Sequence, residues 1–418
     1  MRVVVVGAGI GGLVLAQGLV VEGHEVLVLE RDADASATGG YRLHLDARAC
    51  AVLQQVLARD TWAAVQASSA GRSAFRRLTL TDLRLRVLAV EQQDPAAEVL
   101  MVGRVPLRTL LTTGLGDRVR WGTRVNAAAS GAAGATVTLG DGSVIEADLV
   151  VGADGPRSVV ARTLAGRSLV RPIGMGGLAG RTPLNDRTRQ LLPDLLSAGP
   201  LLAFSPAGVV VFLTVHDHRN GAVVDPQLLG SVAPVTEAPA LVWGVNVTDR
   251  ALPKDAEWGD GTAMIDAAAG LLSGWHPKVQ ALVAAADPSS VAAYAFHAPD
   301  LGADLMPWPA GRLVALGDAV HAVPPTGGQG ATAAIRDAGH LIGRLRDVTD
   351  GNQALGTALA AFQRDVAGYA PAAVAESLRP LRWARTLSRP GVRQAATLAL
   401  PVLATLTDTW YRRCRATA

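Results

Sequence analysis

The stretch VVVVGAGIGGLVLAQGLVVEGHEVLVLE, Val3 to Glu30, decides the fold. Its four consecutive valines predict a strand that is buried on both faces, as in a parallel sheet covered by helices. The glycine-rich turn leads into a helix whose apolar stripe includes Leu13 and Leu19 and which ends at Gly23. The run from His24 to Glu30 predicts a second buried strand, so the stretch forms a βαβ unit with a right-handed crossover.

The turn GAGIGG has the spacing of a dinucleotide-binding loop. Its first glycine permits the tight turn out of the strand, its second lets backbone approach a pyrophosphate, and its last lets the helix pack closely on the sheet. An acid ends the next strand about twenty residues further on, where a ribose diol would be held. The nucleotide contacts predicted in this part of the chain are Gly7, Gly9, Gly11, Gly12, Glu30 and Arg31.

The rest of the chain suggests further structural units. A hairpin is predicted around Asp141 and Gly142, and it feeds the apolar strand DLVVGA. Between Ala165 and Ala285, strand-like runs alternate with Pro and Gly, which is typical of a second, sheet-based domain. From Ala331 onward the pattern is helical, with breaks expected at three prolines, Pro371, Pro380 and Pro390.

We therefore expect an α/β fold with a Rossmann-like nucleotide-binding domain, an inserted and mostly β-sheet domain, and C-terminal helices. The predicted nucleotide-binding domain is discontinuous and comprises residues 1–75, 100–164 and 286–345. The predicted inserted domain comprises residues 76–99 and 165–285, and the C-terminal helical segment is 346–418. A chain of 418 residues suits two or three such units.

Composition narrows the choice of partners and compartment. The formal net charge of +3 is spread along the chain without a basic block, so we predict no nucleic-acid partner. Two distant cysteines, Cys50 and Cys414, favour a reduced, cytoplasmic setting. The apolar stretch AATLALPVLATL is too short to span a bilayer, so no stable membrane insertion is expected. His216 and His218 flank an aspartate without a further ligand nearby in sequence, so no metal site is predicted.

Two further motifs follow predicted strands. GADGPRS, Gly152 to Ser158, ends one strand and taken alone is an ordinary turn. GDAVHAVPPTGGQG, Gly317 to Gly330, follows the apolar run RLVAL, so Asp318 emerges at the carboxyl edge of a sheet, where open α/β folds bind ligands. The helix that begins after Gly330 directs its positive N-terminal end to the same place, which suits a ligand that becomes anionic during turnover. Reduced flavin is such a ligand.

In this order and at these separations, the three motifs resemble those of the group A flavin-dependent monooxygenases, the family of p-hydroxybenzoate hydroxylase and of the tetracycline-inactivating monooxygenases. The resemblance runs from Met1 to about Leu345, and LMPWPAGRLVALGDAVH and LSGWHP resemble the tetracycline-modifying branch. It implies that the nucleotide-binding domain is a GR2-type FAD-binding domain and that the inserted sheet domain binds the substrate. In MVGRVPLRTLL, the resemblance places an FAD contact on the arginine that opens a helix, Arg104. The further FAD contacts that it implies are Asp154, Gly155, Asp318, Pro325, Gly328, Gly330 and Ala331. Among them, Asp318 would hold the ribityl chain, and the glycine turn would bring backbone N–H groups to the flavin ring.

The chain departs from the family pattern at two positions. Thr332 stands where the family often has asparagine, which puts one side-chain contact near the flavin in doubt. An arginine commonly found three residues after the serine of the second motif is replaced by Ala161, with Arg162 next to it.

The resemblance implies that one chain binds FAD, accepts hydride from NADH or NADPH, and activates O2 as a C4a-hydroperoxide to hydroxylate an aromatic or polyketide-like small molecule. The flavin carries this chemistry, while the protein orients and shields it. A role in secondary metabolism or antibiotic modification fits the resemblance. Arg42, His44 and Arg181 are the candidate substrate contacts, and the motif position of His321 suggests a structural role.

Other functions remain open from the sequence. A flavin-dependent halogenase or a reductase could use the same nucleotide fold, although no GWxWxIP-type stretch is present. A flavin-binding protein that sequesters a reactive intermediate without turnover would need the same motifs, because all of them bind cofactor. We expect a monomer or a homodimer.

Overall fold

A computed structural model of the chain describes residues 1–39, 42–70, 74–94, 99–131, 133–217, 230–252 and 259–387, together with isolated positions up to 407. Its strands are β1 (Arg2–Val6), β2 (Glu25–Leu29), β3 (Arg42–Asp46), β4 (Ser69–Ala70), β5 (Arg77–Asp82), β6 (Val87–Gln92), β7 (Val99–Gly103), β8 (Val119–Arg120), β9 (Val125–Ser130), β10 (Ala135–Leu139), β11 (Val144–Ala147), β12 (Leu149–Gly152), β13 (Val170–Pro183), β14 (Leu201–Phe204), β15 (Val210–His216), β16 (Ala240–Thr248), β17 (Ala292–Pro299) and β18 (Leu313–Ala315). Its α-helices are α1 (Ile10–Val21), α2 (Ala47–Val56), α3 (Arg59–Ala67), α4 (Arg104–Leu110), α5 (Val159–Ala165), α6 (Asp186–Leu191), α7 (Gly261–Leu271), α8 (Pro277–Ala284), α9 (Asp318–His321), α10 (Gly330–Thr349), α11 (Leu355–Ala367) and α12 (Ala370–Leu387).

A five-stranded parallel sheet in the order β18-β12-β1-β2-β8 forms the centre of the nucleotide-binding part. The valines of β1 alternate between its two faces. Val3 and Val5 join the core beneath α1 and α10, whereas Val4 and Val6 pack towards the three-stranded sheet β11-β10-β9. The unbroken valine run is therefore explained by burial on both faces, and the predicted α/β fold with its βαβ unit is confirmed.

A seven-stranded sheet in the order β17-β13-β16-β15-β14-β5-β6 forms the second part of the molecule. Helices α7 and α8 cover one face of it. Leu381 and Ala384 of α12, which lies in the predicted C-terminal helical segment, pack on the other face. Strand β17 belongs to this sheet although it lies within the range 286–345 that the sequence assigned to the nucleotide-binding domain. The domain boundaries as drawn stay a prediction.

The break predicted at Pro380 is wrong, because α12 continues through it. A proline inside a helix removes one hydrogen bond and costs about 3 kcal/mol. Burial of the neighbouring Leu381 and Ala384 against the large sheet opposes that loss. The break predicted at Pro371 does occur, because α11 ends at Ala367 and α12 begins at Ala370. Pro371 lies in the first turn of α12, where its missing N–H has no helical partner to lose. Pro390 lies outside the described residues.

Candidate active site

The motifs predicted from the sequence meet at one edge of the five-stranded sheet. Gly7 follows β1, Glu30 follows β2, Asp154 follows β12 and Asp318 follows β18. Because these strands are parallel neighbours, their carboxyl ends lie side by side. Four segments that are far apart in sequence thus form a single ligand-binding edge.

The glycines of the first motif have separate structural reasons. Gly7 has a φ of 104°, and a Cβ there would collide with the carbonyl of Ala153. A Cβ on Gly12 would collide with the carbonyl of Gly7, so this glycine permits close packing of α1 on the turn. Gly9 is different, because the nearest atom to a Cβ there is 4.0 Å away. Of these three glycines, Gly9 is therefore the one that leaves room for a ligand to approach the backbone.

Gly11 brings two helices together. A Cβ on Gly11 would lie 3.0 Å from Cδ1 of Leu316 and 3.1 Å from Cβ of Ala334 in α10. Its predicted role as a nucleotide contact is thus joined by a packing role that the sequence did not reveal. Because α1 and α10 meet here, both of their positive N-terminal ends point towards the same edge.

Glu30 is held by a cation that the sequence analysis did not single out, Arg108. The Oε2 atom of Glu30 accepts a hydrogen bond from the backbone N–H of Ala8 at 2.7 Å and lies 3.3 Å from Nη2 of Arg108. Arg108 is only 3% exposed, and its Nε donates to the carbonyl of Ala8 at 2.8 Å. Its Nη1 lies 2.9 Å from a carboxylate oxygen of Asp32. Arg108 therefore joins the first turn to the acid after β2, whereas Arg31 is exposed.

Arg104 is the first residue of α4 and lies one helical turn before Arg108, on the same face. Its Nε is buried and has no hydrogen-bond partner in the described part of the chain. A buried guanidinium nitrogen without a partner favours binding an anion. The spacing of Arg104 and Arg108 was the signal in the sequence that could have identified the second arginine.

The second motif is held together by its own side chains. The carboxylate of Asp154 accepts hydrogen bonds from the hydroxyl of Ser158 at 2.5 Å and from the N–H of Val159 at 2.7 Å. Burial nevertheless raises the pKa of Asp154. Gly155, with a φ of 75°, completes the turn. The predicted contact of Asp154 with a cofactor stays a prediction, because its hydrogen bonds in the structure are local.

Arg162, which lies one residue after the position of the family's arginine, does not face the site. Ala161 is buried in α5, and Arg162 faces solvent. A shift of one residue rotates a helical side chain by about 100°, which is enough to move it from the core side to the solvent side. The charge that the family has at this position is therefore not restored by Arg162.

The third motif presents an exposed carboxylate at the sheet edge. Asp318 is exposed, and it follows Gly317, whose φ is 61°. The chain then passes Pro325, which is exposed, turns at Gly328 with a φ of 66°, and enters α10 at Gly330. Ala331 follows and is partly buried. The residues present fit FAD: a positive helix end, a free carboxylate, an arginine nitrogen without a partner and an open glycine turn border the same edge.

Beneath this motif lies a buried hydrogen-bond network centred on Asp337, which is fully buried. One oxygen of its carboxylate accepts from the N–H of Gly317 at 2.6 Å and lies 2.6 Å from Nε2 of His321. The other oxygen accepts from the hydroxyl of Tyr369. Burial opposes protonation of His321, but the charge and hydrogen bond of Asp337 raise the pKa of His321 overall. The structural role expected for His321 agrees with this arrangement.

Thr332 has a contact of its own. Its hydroxyl donates to the carbonyl of His44 at 3.2 Å and so ties the start of α10 to β3. The side chain of His44 lies beside the third motif, since its Cβ is 3.6 Å from where a Cβ on Gly328 would be. The predicted substrate contact His44 is therefore next to the turn that is predicted to hold the flavin ring.

Arg181, the candidate from the large sheet, is paired with an acid that sequence reasoning missed. Its Nη1 lies 2.5 Å from Oε1 of Glu237, whose Oε2 is 3.9 Å from Nε2 of His216. Glu237 precedes β16 in an irregular segment, where a single acid gives no pattern. Its partners come from β13 and β15, so only the fold brings the three groups together.

The residues that the structure describes contain neither a candidate metal centre nor a candidate membrane-spanning helix. No group of three or more His, Cys, Asp or Glu side chains there is placed to hold a metal ion. His218 lies outside the described part of the chain. None of the helices that the structure describes is both long enough and apolar enough to cross a membrane.

Comparison with known families gives the class of protein. The pattern of the FAD binding domain family matches residues 1–184 and 285–377. The chain belongs to this family, and the predicted resemblance to the flavin-dependent monooxygenases is confirmed. The matched ranges contain all the motifs at the sheet edge described above.

Individual relatives agree with this assignment. The chain is 30% identical over 379 residues to the dual O-methyltransferase/FAD-dependent monooxygenase elcB of Phaeosphaeria nodorum; the match covers 82% of this chain but only 40% of that protein. It is 30% identical over 362 residues to the 6-hydroxynicotinate 3-monooxygenase of Pseudomonas fluorescens, with 86% of both chains covered. A solved structure from Photorhabdus luminescens, presumed to be a FAD-containing monooxygenase, has a TM-score of 0.77 at 26% identity and covers 93% of this chain and 98% of its own.

Proposed function

We propose that the protein is a FAD-dependent monooxygenase that oxidises NADH or NADPH and hydroxylates an aromatic or polyketide-like small molecule. The main support is the meeting of Gly9, Glu30, Arg104 and Asp318 around one sheet edge in a chain of the FAD binding domain family. A relative that matches over most of its length acts, by its name, on 6-hydroxynicotinate, which is a hydroxylated aromatic compound. Its name supports both the oxygenase activity and the substrate class.

Each group at the edge has a role in this proposal. The free N–H groups at the start of α1 would bind the pyrophosphate, together with Arg104. Glu30 already accepts backbone hydrogen bonds, but a carboxylate can accept about four, so it can also hold a ribose diol. Asp318 would hold the ribityl chain. The N-terminal end of α10 would stabilise the negative charge of the reduced ring.

When bound, FAD would supply hydride acceptance from the nicotinamide and activation of O2 as a C4a-hydroperoxide, as the family resemblance predicts. The protein's contribution is orientation and exclusion of water. The turn at Gly328 and the neighbouring His44 would border the ring, and the large sheet would close the site from the other side.

The decisive experiment mixes the purified holoenzyme anaerobically with NADH or NADPH, with and without a panel of polycyclic phenols that includes tetracyclines, and then admits 18O2. We expect one compound to accelerate flavin bleaching and to gain one atom of 18O. Absence of 18O from every product would refute the oxygenation. A halide-dependent product would favour a halogenase. Tight product binding without nucleotide oxidation would favour a sequestering protein.

A matched pair of variants tests the FAD site itself. Arg104 and Arg59 both open a helix, but Arg59 is exposed. Arg104→Met should weaken FAD binding about 10- to 100-fold, since it removes a charge-assisted contact. Arg59→Met should leave the dissociation constant for FAD unchanged. Equal effects of the two substitutions would contradict the assignment of Arg104. The cytoplasmic location and the monomeric or homodimeric state stay predictions from the sequence.

A further inference from the structure

Arg42 connects the two parts of the molecule. It begins β3 and stands opposite Gly103 of β7 in antiparallel register within the three-stranded sheet β3-β7-β4. Its Nη1 donates a hydrogen bond to the carbonyl of Val215 in β15, which belongs to the seven-stranded sheet. The guanidinium of Arg42 therefore lies at the seam between the nucleotide-binding part and the large sheet.

One edge of this guanidinium is unused by the protein. Nε and Nη2 of Arg42 are buried and have no hydrogen-bond partner among the described residues. These two nitrogens direct their N–H bonds side by side, in the arrangement that binds both oxygens of one carboxylate. Burial lowers the pKa of Arg42 to about 10, so the group is still protonated at neutral pH. Two buried N–H groups on a cation, without acceptors, strongly favour an anionic ligand.

Glu237 lies on the Arg42 side of β3 and β7, but it is not the ion-pair partner of Arg42. A Cβ on Gly103 would collide with the carboxylate of Glu237, so this carboxylate occupies the space of the missing side chain. Directly opposite residues of an antiparallel pair point to the same side, so Glu237 lies on the side of the Arg42 side chain. The ion pair of Glu237, however, is with Arg181 at 2.5 Å. The charge of Glu237 is thereby balanced within the large sheet.

On the same face of β3, a second polar side chain, that of His44, lies between Arg42 and the third motif. His44 lies two residues after Arg42 and therefore on the same face of β3. Its Nε2 is also buried without a partner in the described part of the chain. Burial lowers the pKa of His44, so the ring is neutral at neutral pH. Its neighbour Gly328 belongs to the turn predicted to hold the flavin ring. Arg42 and His44 therefore line one face of β3, and His44 is the one next to the predicted flavin position.

We propose that the unused edge of Arg42 is an oxyanion subsite that binds a carboxylate of the substrate and so orients its aromatic ring towards the turn at Gly328. This inference rests on the proposed function for the nature of the ligand. It adds a property that the FAD-binding motifs do not define, namely the substrate class: an aromatic carboxylic acid. The phosphates of FAD offer a similar anion, and Arg104 directly follows Gly103, the residue opposite Arg42, so the test also measures the binding of FAD.

The test compares ligand pairs that differ only in the anion. Binding of 4-hydroxybenzoate and 4-hydroxybenzamide, 6-hydroxynicotinate and 6-hydroxynicotinamide, and 1-hydroxy-2-naphthoate and its amide is measured on the FAD-loaded protein by calorimetry and by the flavin spectrum. At least one acid should bind about 10- to 100-fold more tightly than its amide, as expected for a bidentate charge-assisted contact. Arg42→Gln should remove that difference, and Arg42→Lys should keep part of it.

Arg48 provides the matched control, because it is an exposed arginine in the helix that follows β3. Arg48→Gln should retain the preference for the acid. The proposal is overturned if no acid in the panel binds the wild-type protein more tightly than its amide. It is also overturned if Arg42→Gln weakens the binding of FAD or NADPH by the same factor as it weakens the binding of the acid. Because binding is measured without turnover, a preference for acids without any 18O incorporation would refute the monooxygenase function while leaving the subsite intact.

Discussion

Tyr369→Phe removes one hydroxyl from the network beneath the third motif and leaves the aromatic ring in place. That hydroxyl donates to the fully buried carboxylate of Asp337. The ring itself is kept, including its contact with the guanidinium of Arg336, whose Cζ lies 3.6 Å from the ring centre. The substitution therefore isolates a single charge-assisted hydrogen bond. Such a bond contributes about 1.5–3 kcal/mol, against about 0.5–1.5 kcal/mol for a neutral one.

The comparison variant is Tyr294→Phe, because the hydroxyl of Tyr294 donates to the neutral amide oxygen of Asn246 at 2.8 Å. Urea unfolding of the FAD-loaded proteins, followed by flavin fluorescence at one fixed excess of FAD, gives the change in the free energy of unfolding. We expect Tyr369→Phe to lose about twice as much stability as Tyr294→Phe. A loss for Tyr369→Phe equal to or smaller than that for Tyr294→Phe would refute the reasoning.

The same variant has a second readout at the cofactor site. Asp337 also accepts the N–H of Gly317, the residue that precedes Asp318. If Tyr369 keeps this carboxylate in place, its loss should weaken FAD binding several-fold as well. A purely structural loss within the C-terminal helices would lower stability and leave the FAD dissociation constant unchanged.

Four further outcomes follow from the structure. Gly7→Ala should abolish FAD loading, because a side chain there collides with a neighbouring carbonyl, whereas Gly23→Ala, at a φ of 76° in open space, should cost only about 1 kcal/mol; bound flavin per chain and thermal melting separate the two. Arg108→Gln should lower stability by about 3–5 kcal/mol, since it leaves two carboxylates without their cation, and urea unfolding measures this. Arg162→Gln should leave FAD affinity unchanged in a flavin titration, because the side chain is exposed. The raised pKa of His321 means that its protonated form stabilises the fold. This contribution is complete below the pKa of the unfolded state, about 6.5, and is lost as pH rises through the pKa of the folded state. Melting temperatures across a pH series should show the decline, and Asp337→Asn should abolish it.

The parts of the fold that the sequence predicted are those where backbone geometry restricts the residue type. The turn after β1 requires a positive φ at Gly7. Gly23 follows a helix and Gly142 lies in the turn of a hairpin, and each also has a positive φ. Glycine is the residue that adopts this conformation without strain, so these positions are visible in a single sequence. The alternation of Val3 to Val6 between two buried faces is visible for a similar reason.

The groups that the sequence did not reveal are polar side chains whose partners are distant in the chain. Arg108 bonds Ala8, which is a hundred residues away, and Glu237 pairs with Arg181, which is 56 residues away. Neither pair has a fixed spacing, because the distance along the chain between two partners depends on the loops and not on the contact. The continuation of α12 through Pro380 was missed for the same reason, since the packing that favours it comes from the large sheet.

The features that backbone geometry restricts are those that the chain shares with its relatives, whereas the polar side chains at the seam can differ between relatives. The glycine turns and strand ends that fit FAD are set by backbone geometry, so any chain that binds the cofactor in this way must repeat them. The seam is under no such constraint. The two N–H groups of Arg42, the carboxylate of Glu237 and the neutral ring of His44 could each be replaced without disturbing the sheet edge at Gly7 or Asp318. Substrate selection should therefore follow substitutions at the seam, while cofactor affinity should follow substitutions at the edge.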